Sequence, residues 1–202
     1  MLNLQYIKGA IPDSVYNKLP EIVEKYEINT ILRMSHFLSQ CSHESQGFKV
    51  TEENLYYSVN GLLKIFPKYF TEETAKLYAK QPSKIANKVY SNRMGNGNIE
   101  SNEGYKFRGR GYLQTTGKNN YIELSKYFDI DFVENPDLVS KEYPLLSAVF
   151  YFDKNNLLSL CDRGSTIKDI TVVTRAINGG LHGIDQRIKL FNFFFKLLNK
   201  WL

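Results

Sequence analysis

A mainly α-helical single domain is what this chain of 202 residues predicts, and three observations carry the expectation. Apolar residues recur at three- and four-residue spacing through most of the length. Residues with capping side chains stand in front of several of those stretches. The one long polar break, SNRMGNGNIESNEGYKFRGRG over 91–111, holds five glycines and four asparagines and reads as a loop or small irregular hairpin. With 43% hydrophobic and 14% aromatic residues the chain is too apolar to be disordered. At this length it buries roughly 70% of its unfolded surface without disulfide staples.

The elements follow in order. Asp13 caps a helix through Val15, Leu19, Ile22, Val23 and Tyr26, with Pro20 as a point where it can divide. Asn29 and Thr30 cap a second helix whose inner stripe is Ile31, Met34, Phe37, Leu38 and Cys41, ended by Gly47. Leu62, Leu63, Ile65 and Phe66 make a short helix stopped by Pro67. Thr71 to Lys80 is another, capped by Thr71 but without a complete capping box, since Thr74 stands where a Glu or Gln would close it. Helical spacing resumes at Asn119–Phe128, Pro144–Lys154, Thr166–Ile177 and Asp185–Leu198. The last stretch is more apolar than one stripe requires. It reads as a core helix with solvated lysines or as a cationic amphipathic end.

Several classes are excluded. No stretch approaches the length of an apolar membrane span. The opening MLNLQYIKGAIPDSVYNKLP lacks a charged segment followed by an apolar run, so no secretory signal is read. Cys41 and Cys161 make no framework and read as free buried thiols. A net charge of +5 favours an anionic partner, but the basic residues are scattered and carry no nucleic-acid motif. His43-Glu44 is not a zinc motif, because Gly47 stands where HExxH needs its second histidine, and no metal site is expected.

Chemistry concentrates in two segments. In QCSHESQGF, Glu44 follows Phe37 and Cys41 at helical spacing and is placed on the buried stripe in the last turn. Partial burial and the negative end of the helix dipole would both raise its pKa, as a general acid requires. The alternative is a surface glutamate at a frayed end. Nine residues on, in TEENLYYS, Glu53 supplies a second carboxylate of the kind that glycosidic cleavage pairs with an acid. In YKFRGRGYLQTTGKNNY, Gly109 and Gly111 permit close backbone approach. Gln114, Thr116 and Asn120 supply neutral donors and acceptors suited to sugar hydroxyls and acetamides. The spacing misses the phosphate-binding GxxxxGK[ST] pattern, so sugar is favoured over phosphate. Asn178, in TRAINGG, reads as a C-cap or a ligand-facing amide.

Taken in order, HES, ENL-Y-S, GRGYLQTTGKNNY and AINGG followed by the DQRI of 185–188 resemble glycoside hydrolase family 19. More narrowly they resemble the lysozyme-type endolysins with which bacteriophages of Gram-negative hosts open the cell wall. The resemblance runs from about Tyr16 to about Lys196. It implies a lysozyme-like helical domain with a small irregular or β-containing lobe flanking a substrate cleft, 1–202 being one catalytic domain without a separate wall-binding domain. It also implies inversion at the anomeric carbon, with the carboxyl groups about 6.5–9.5 Å apart, and no cofactor. By position, Glu44 matches the general acid and Glu53 the second carboxylate of the endolysin branch, with Glu52 as a neighbouring decoy. Thr116 matches the residue that helps hold the water. Gln114, Asn120, Tyr121 and Asn178 match substrate-binding residues, and Arg187 an arginine near the acid. Thr115 departs from the family's apolar residue and is expected to pack.

The function so implied is hydrolysis of the β-1,4 bond of peptidoglycan by an N-acetylmuramidase causing host cell lysis. Its partners would be glycan strands and anionic envelope components, with no nucleic acid, and the protein would be a monomer. It would be made in the host cytoplasm and act on the wall after release. A chitinase and a catalytically inactive wall-binding module are the alternatives.

Overall fold

The computed structural model describes residues 2–200 and is built around one helix, α3 (Ile31–Glu44). Thr30 caps it by accepting the Arg33 N–H at 3.1 Å. Nine consecutive residues from Met34 to Ser42 are buried, so neighbours cover the helix on every side rather than along a single stripe. Two short helices precede it, α1 (Asp13–Tyr16) and α2 (Leu19–Lys25); the break falls at residues 17–18, just ahead of Pro20, which sits in the first turn of α2. Pro12, not Asp13, occupies the cap position of α1.

A small lobe follows, formed by α4 (Val59–Ile65), α5 (Glu72–Tyr78) and α6 (Pro82–Tyr90). It carries its own apolar cluster of Leu55, Leu62, Phe70, Ala75, Ile85, Ala86 and Val89. Thr71 caps α5, and its capping box is complete after all. The Thr74 hydroxyl accepts the Thr71 N–H at 2.8 Å, a role usually taken by a longer acidic or amide side chain. α6 is not among the helices expected from sequence.

Residues 91–111 are irregular, with one 3-10 turn (Ile99–Ser101) and α7 (Glu103–Lys106). Their β content is limited to the isolated bridges that Arg110 makes with Glu52 and Thr115. The chain then returns to the body through α8 (Lys118–Phe128), α9 (Leu138–Lys141), α10 (Pro144–Lys154), α11 (Leu157–Cys161), α12 (Ile167–Asn178) and α13 (Ile184–Leu198). The protein is thus mainly helical.

The largest core joins Val15, Leu19, Met34, Phe37, Leu38 and Cys41 to Phe152, Leu157, Cys161, Val173, Phe194 and Leu198. α13 lies against α3 more extensively than any other pair of elements meets, and buries Phe191, Phe194 and Leu198. Its apolar side is therefore committed to the core, as the first of the two sequence readings expects. No helix among the described residues is long and apolar enough to cross a membrane. Cys41 and Cys161 are free and buried, and burial pushes the Cys161 thiol up to about 12.

Small lobe and irregular segment are locked together where α7 meets α6. An added Cβ at Gly104 would lie 2.6 Å from the Ala86 carbonyl oxygen and 2.7 Å from the Asn87 Cα. Asn87 ties the same junction by accepting the Tyr105 N–H at 2.7 Å. Because the clash is with backbone, Gly104→Ala should cost about 2 kcal/mol and lower the thermal midpoint by about 6 °C, as read by calorimetry.

Candidate active site

Glu44 is the last residue of α3, on the body side of the site. It lines a cavity of about 330 Å³ with Leu113, Gln114, Tyr151, Ile177 and Asn178. Its side chain is partly buried, as expected, at 32% exposed, while Arg187 beside it is 1% exposed. The remaining exposure arises because α3 stops at Glu44, so no further helical turn covers the carboxylate. Instead Glu44 Oε1 accepts from the Arg187 guanidinium. Arg187 also donates to the buried Gln40 side chain and, at 3.1 Å, to the His182 carbonyl. Gln40 is oriented in turn by donating to the Thr174 hydroxyl at 3.1 Å. Arg187 is thus buried behind Glu44 and does not line the cavity. His43 packs against Gly183, and burial together with the Arg187 charge holds its pKa below the ordinary histidine value.

Glu53 approaches from the small lobe and meets only neutral donors. Its Oε1 accepts the Gly109 N–H at 2.6 Å and its Oε2 the Tyr90 hydroxyl at 2.7 Å. The Glu53 N–H donates to the Gly109 carbonyl at 3.0 Å, which pins residue and side chain to one partner. Gly109 sits against Gln114 and Thr116, because an added Cβ there would lie 2.6 Å from Gln114 Oε1 and 3.0 Å from Thr116 Oγ1. Gln114 therefore belongs to both halves of the site, lining the Glu44 cavity and adjoining the backbone that holds Glu53.

The other sequence-predicted residues divide. Asn178 ends α12 and lines the cavity, while the C-cap itself is Gly179, with a left-handed φ of +71°. Its amide accepts the Gly180 N–H at 2.8 Å. Asn120 adjoins the site but donates to the Thr116 carbonyl at 2.7 Å, so it supports Thr116. Tyr121 does not reach the cavity. It is fully buried in α8 with Phe107 and Leu124, and its hydroxyl donates to the Arg108 carbonyl at 2.8 Å. Thr115 is buried, as expected. Tyr90, Gln40 and Tyr151 were not singled out in the sequence. Tyr90 was signalled by the Ile85, Ala86 and Val89 stripe, which marks a helix ending at the site.

Glu52, beside Glu53, is fully engaged elsewhere. Its Oε2 accepts from Arg108 at 2.7 and 3.1 Å, and its Oε1 from the Ser140 hydroxyl at 2.7 Å. Arg110, 1% exposed, lies 3.8 Å from the same carboxylate and pairs with Asp137 at 2.6 Å. Burial alone would raise the Glu52 pKa. The Ser140 and Arg108 bonds outweigh it and hold the carboxyl below its ordinary value of 4.5.

Three comparisons bear on the chain. A protein of Haemophilus influenzae described as glycosyl hydrolase family 19 domain-containing is 41% identical over 179 residues, which are 88% of this chain and 86% of that one. A bacterial family 19 chitinase shares the fold with a TM-score of 0.61 at 19% identity, over 96% of this chain and 93% of its own. Chitinase C from Streptomyces griseus does so with a TM-score of 0.59 at 17% identity, over 96% and 90%. No protein-family model matches the chain.

The Glu52 cluster yields a test that separates it from Glu53. A carboxylate with a depressed folded-state pKa stabilises the fold above its unfolded value and loses that contribution as pH falls through the folded one. Glu52→Gln should therefore cost about 2 kcal/mol at neutral pH. In urea unfolding at several pH values, the gap from wild type should narrow as the pH drops below 4.5.

Proposed function

Since the chain belongs to glycosyl hydrolase family 19 and is a glycoside hydrolase, we propose that it cleaves the β-1,4 bond of peptidoglycan glycan strands. In this reading it is an N-acetylmuramidase of the phage endolysin type, with Glu44 as general acid and Glu53 as general base. The observation that carries the assignment is the unlike surroundings of the two carboxylates around Gln114 and Thr116.

Glu44 lines the cavity with one oxygen committed to Arg187. The other oxygen delivers its proton to the glycosidic oxygen as the bond from that oxygen to C1 breaks. Arg187 then stabilises the carboxylate left behind, an interaction stronger after proton transfer than before it. Glu53, oriented by two neutral donors, takes a proton from water as the water oxygen bonds to C1 from the opposite face. Thr116, beside Gly109, helps hold that water. The product carries the inverted configuration, and solvent returns a proton to Glu44 and removes one from Glu53. Gln114 and Asn178 supply amides for the acetamido groups of the sugar.

The net charge of +5 suits an anionic wall, and the nine-residue step from Glu44 to Glu53 matches the endolysin branch. A lysin of this kind would be made in the host cytoplasm and reach the wall after release. The second reading is a chitinase, favoured by the fold shared with two chitinases.

Product analysis separates them. Peptidoglycan and chitin oligosaccharides are digested, the new reducing ends are reduced with borohydride, and the sugars are identified by mass spectrometry. Reduced muramic acid should come from wild type, with Glu44→Gln and Glu53→Gln each slower by at least about 100-fold. Reduced glucosamine from chitin, with peptidoglycan untouched, would replace the muramidase by a chitinase.

A further inference from the structure

Tyr90 ends α6 and is bonded on two sides. Its hydroxyl donates to Glu53 Oε2 at 2.7 Å. Its ring packs at the edge of the small-lobe cluster, alongside Tyr57 and Tyr105. Burial, followed by the nearby Glu53 charge, pushes the hydroxyl pKa far up, so Tyr90 stays a neutral donor wherever a glycosidase works. The charged and titratable groups facing this pair are Tyr57 from the segment before α4 and Arg93 from the loop after α6. Arg93 is engaged on the far side, donating to the Tyr69 hydroxyl at 2.7 Å and the Val89 carbonyl at 3.1 Å.

The backbone of Tyr90 is stapled as well. Its carbonyl accepts from the buried Asn96 side chain at 3.0 Å. The same Asn96 amide accepts the N–H of Lys118, the first residue of α8, at 2.9 Å. The neighbouring Asn119 N–H donates to the Met94 carbonyl at 3.0 Å. One buried amide therefore sets the spacing between the donor on Glu53 and the Gln114–Thr116 segment, which ends two residues before Lys118.

We propose that Tyr90 is a positioning residue of the reaction, aiming the Glu53 carboxylate at the attacking water, with Asn96 holding Tyr90 in register with Thr116. The inference rests on the reading of Glu53 as the general base. Two donors on different oxygens fix the plane of a carboxylate, whereas one leaves it free to turn about its terminal torsion. Without the Tyr90 hydroxyl only the Gly109 N–H remains, and the lone pair that must meet the water proton is no longer directed.

The test compares Tyr90→Phe with Glu53→Gln and wild type on one soluble glycan substrate. Tyr90→Phe keeps the ring and its packing. It should lower kcat about tenfold with KM within about twofold and an unchanged thermal midpoint. An unchanged kcat in Tyr90→Phe, with Glu53→Gln inactive, would overturn the role of Tyr90 and leave the base assignment standing. A fall in kcat accompanied by a matching fall in thermal midpoint would make Tyr90 a structural residue and overturn it too. Full activity in Glu53→Gln would overturn both readings together.

Discussion

A cation removed from water must be surrounded by acceptors, and the rest of the site depends on how this is done for Arg187. The side chain comes from α13, the longest helix, and is 1% exposed. Its acceptors are Glu44 and Gln40 from α3 and the His182 carbonyl from the loop ahead of α13. Three separate backbone positions are thereby tied to one planar group whose donors have fixed directions. The apolar contact of α13 with α3 brings the helices together, and the guanidinium decides their register. Were the helices to slide, a charge would be left without acceptors in a dry interior, which costs several kcal/mol. Glu44 is thus held at the rim of its helix by a group it does not itself bury.

A second arginine does the corresponding work on the other side. In the Gly109-Arg110-Gly111 segment the side chain turns inward, onto Asp137, the Lys106 carbonyl and the Tyr121 hydroxyl. The flanking glycines are there for the backbone. At Gly109 a Cβ would displace Gln114 and Thr116, and at Gly111 φ is +89° and a Cβ would strike Ser147. With Arg110 as anchor, the Gly109 N–H becomes a rigid donor for Glu53 and the Gly111 N–H a donor to Thr51 at 2.8 Å. In the sequence the segment reads as the end of a long polar loop or small irregular hairpin. It is an inward-facing clamp whose only groups left for the site are an amide proton and the space around it.

Much of this was legible wherever the signal is local. Thr30 and Thr71 can be read as caps because capping is decided within four residues. The long helices follow from spacing alone, as does the place of Glu44 in the last turn of its helix. What failed was each inference needing knowledge of what lies across the fold. Spacing puts Glu44 on the stripe of Phe37 and Cys41, but only the helix end shows that it is partly open. The resemblance places Tyr121 at the substrate, although its step of three to Leu124 already sets it on the inner stripe of α8. Tyr90 and Asn96 lie in a stretch with no catalytic pattern, since a positioning residue is defined by its partner and the partner is 37 residues away.

On the proposed roles, the two carboxylates show how one fold can keep an acid and a base a few residues apart in the chain. They could not be told apart by type, and adjacent Glu52 has the same side chain as Glu53. Their surroundings separate them. Glu52 spends both oxygens on arginines and a serine and is fixed in the framework. Glu53 is held by donors that carry no charge, so accepting a proton does not strand a buried cation beside a neutral acid. In the proposed mechanism Glu44 faces the reverse demand, because releasing its proton creates the charge that Arg187 is placed to receive. On those roles, a fixed cation bonded to the group that becomes negative, and neutral donors bonded to the group that becomes neutral, lower the cost of both proton transfers at once.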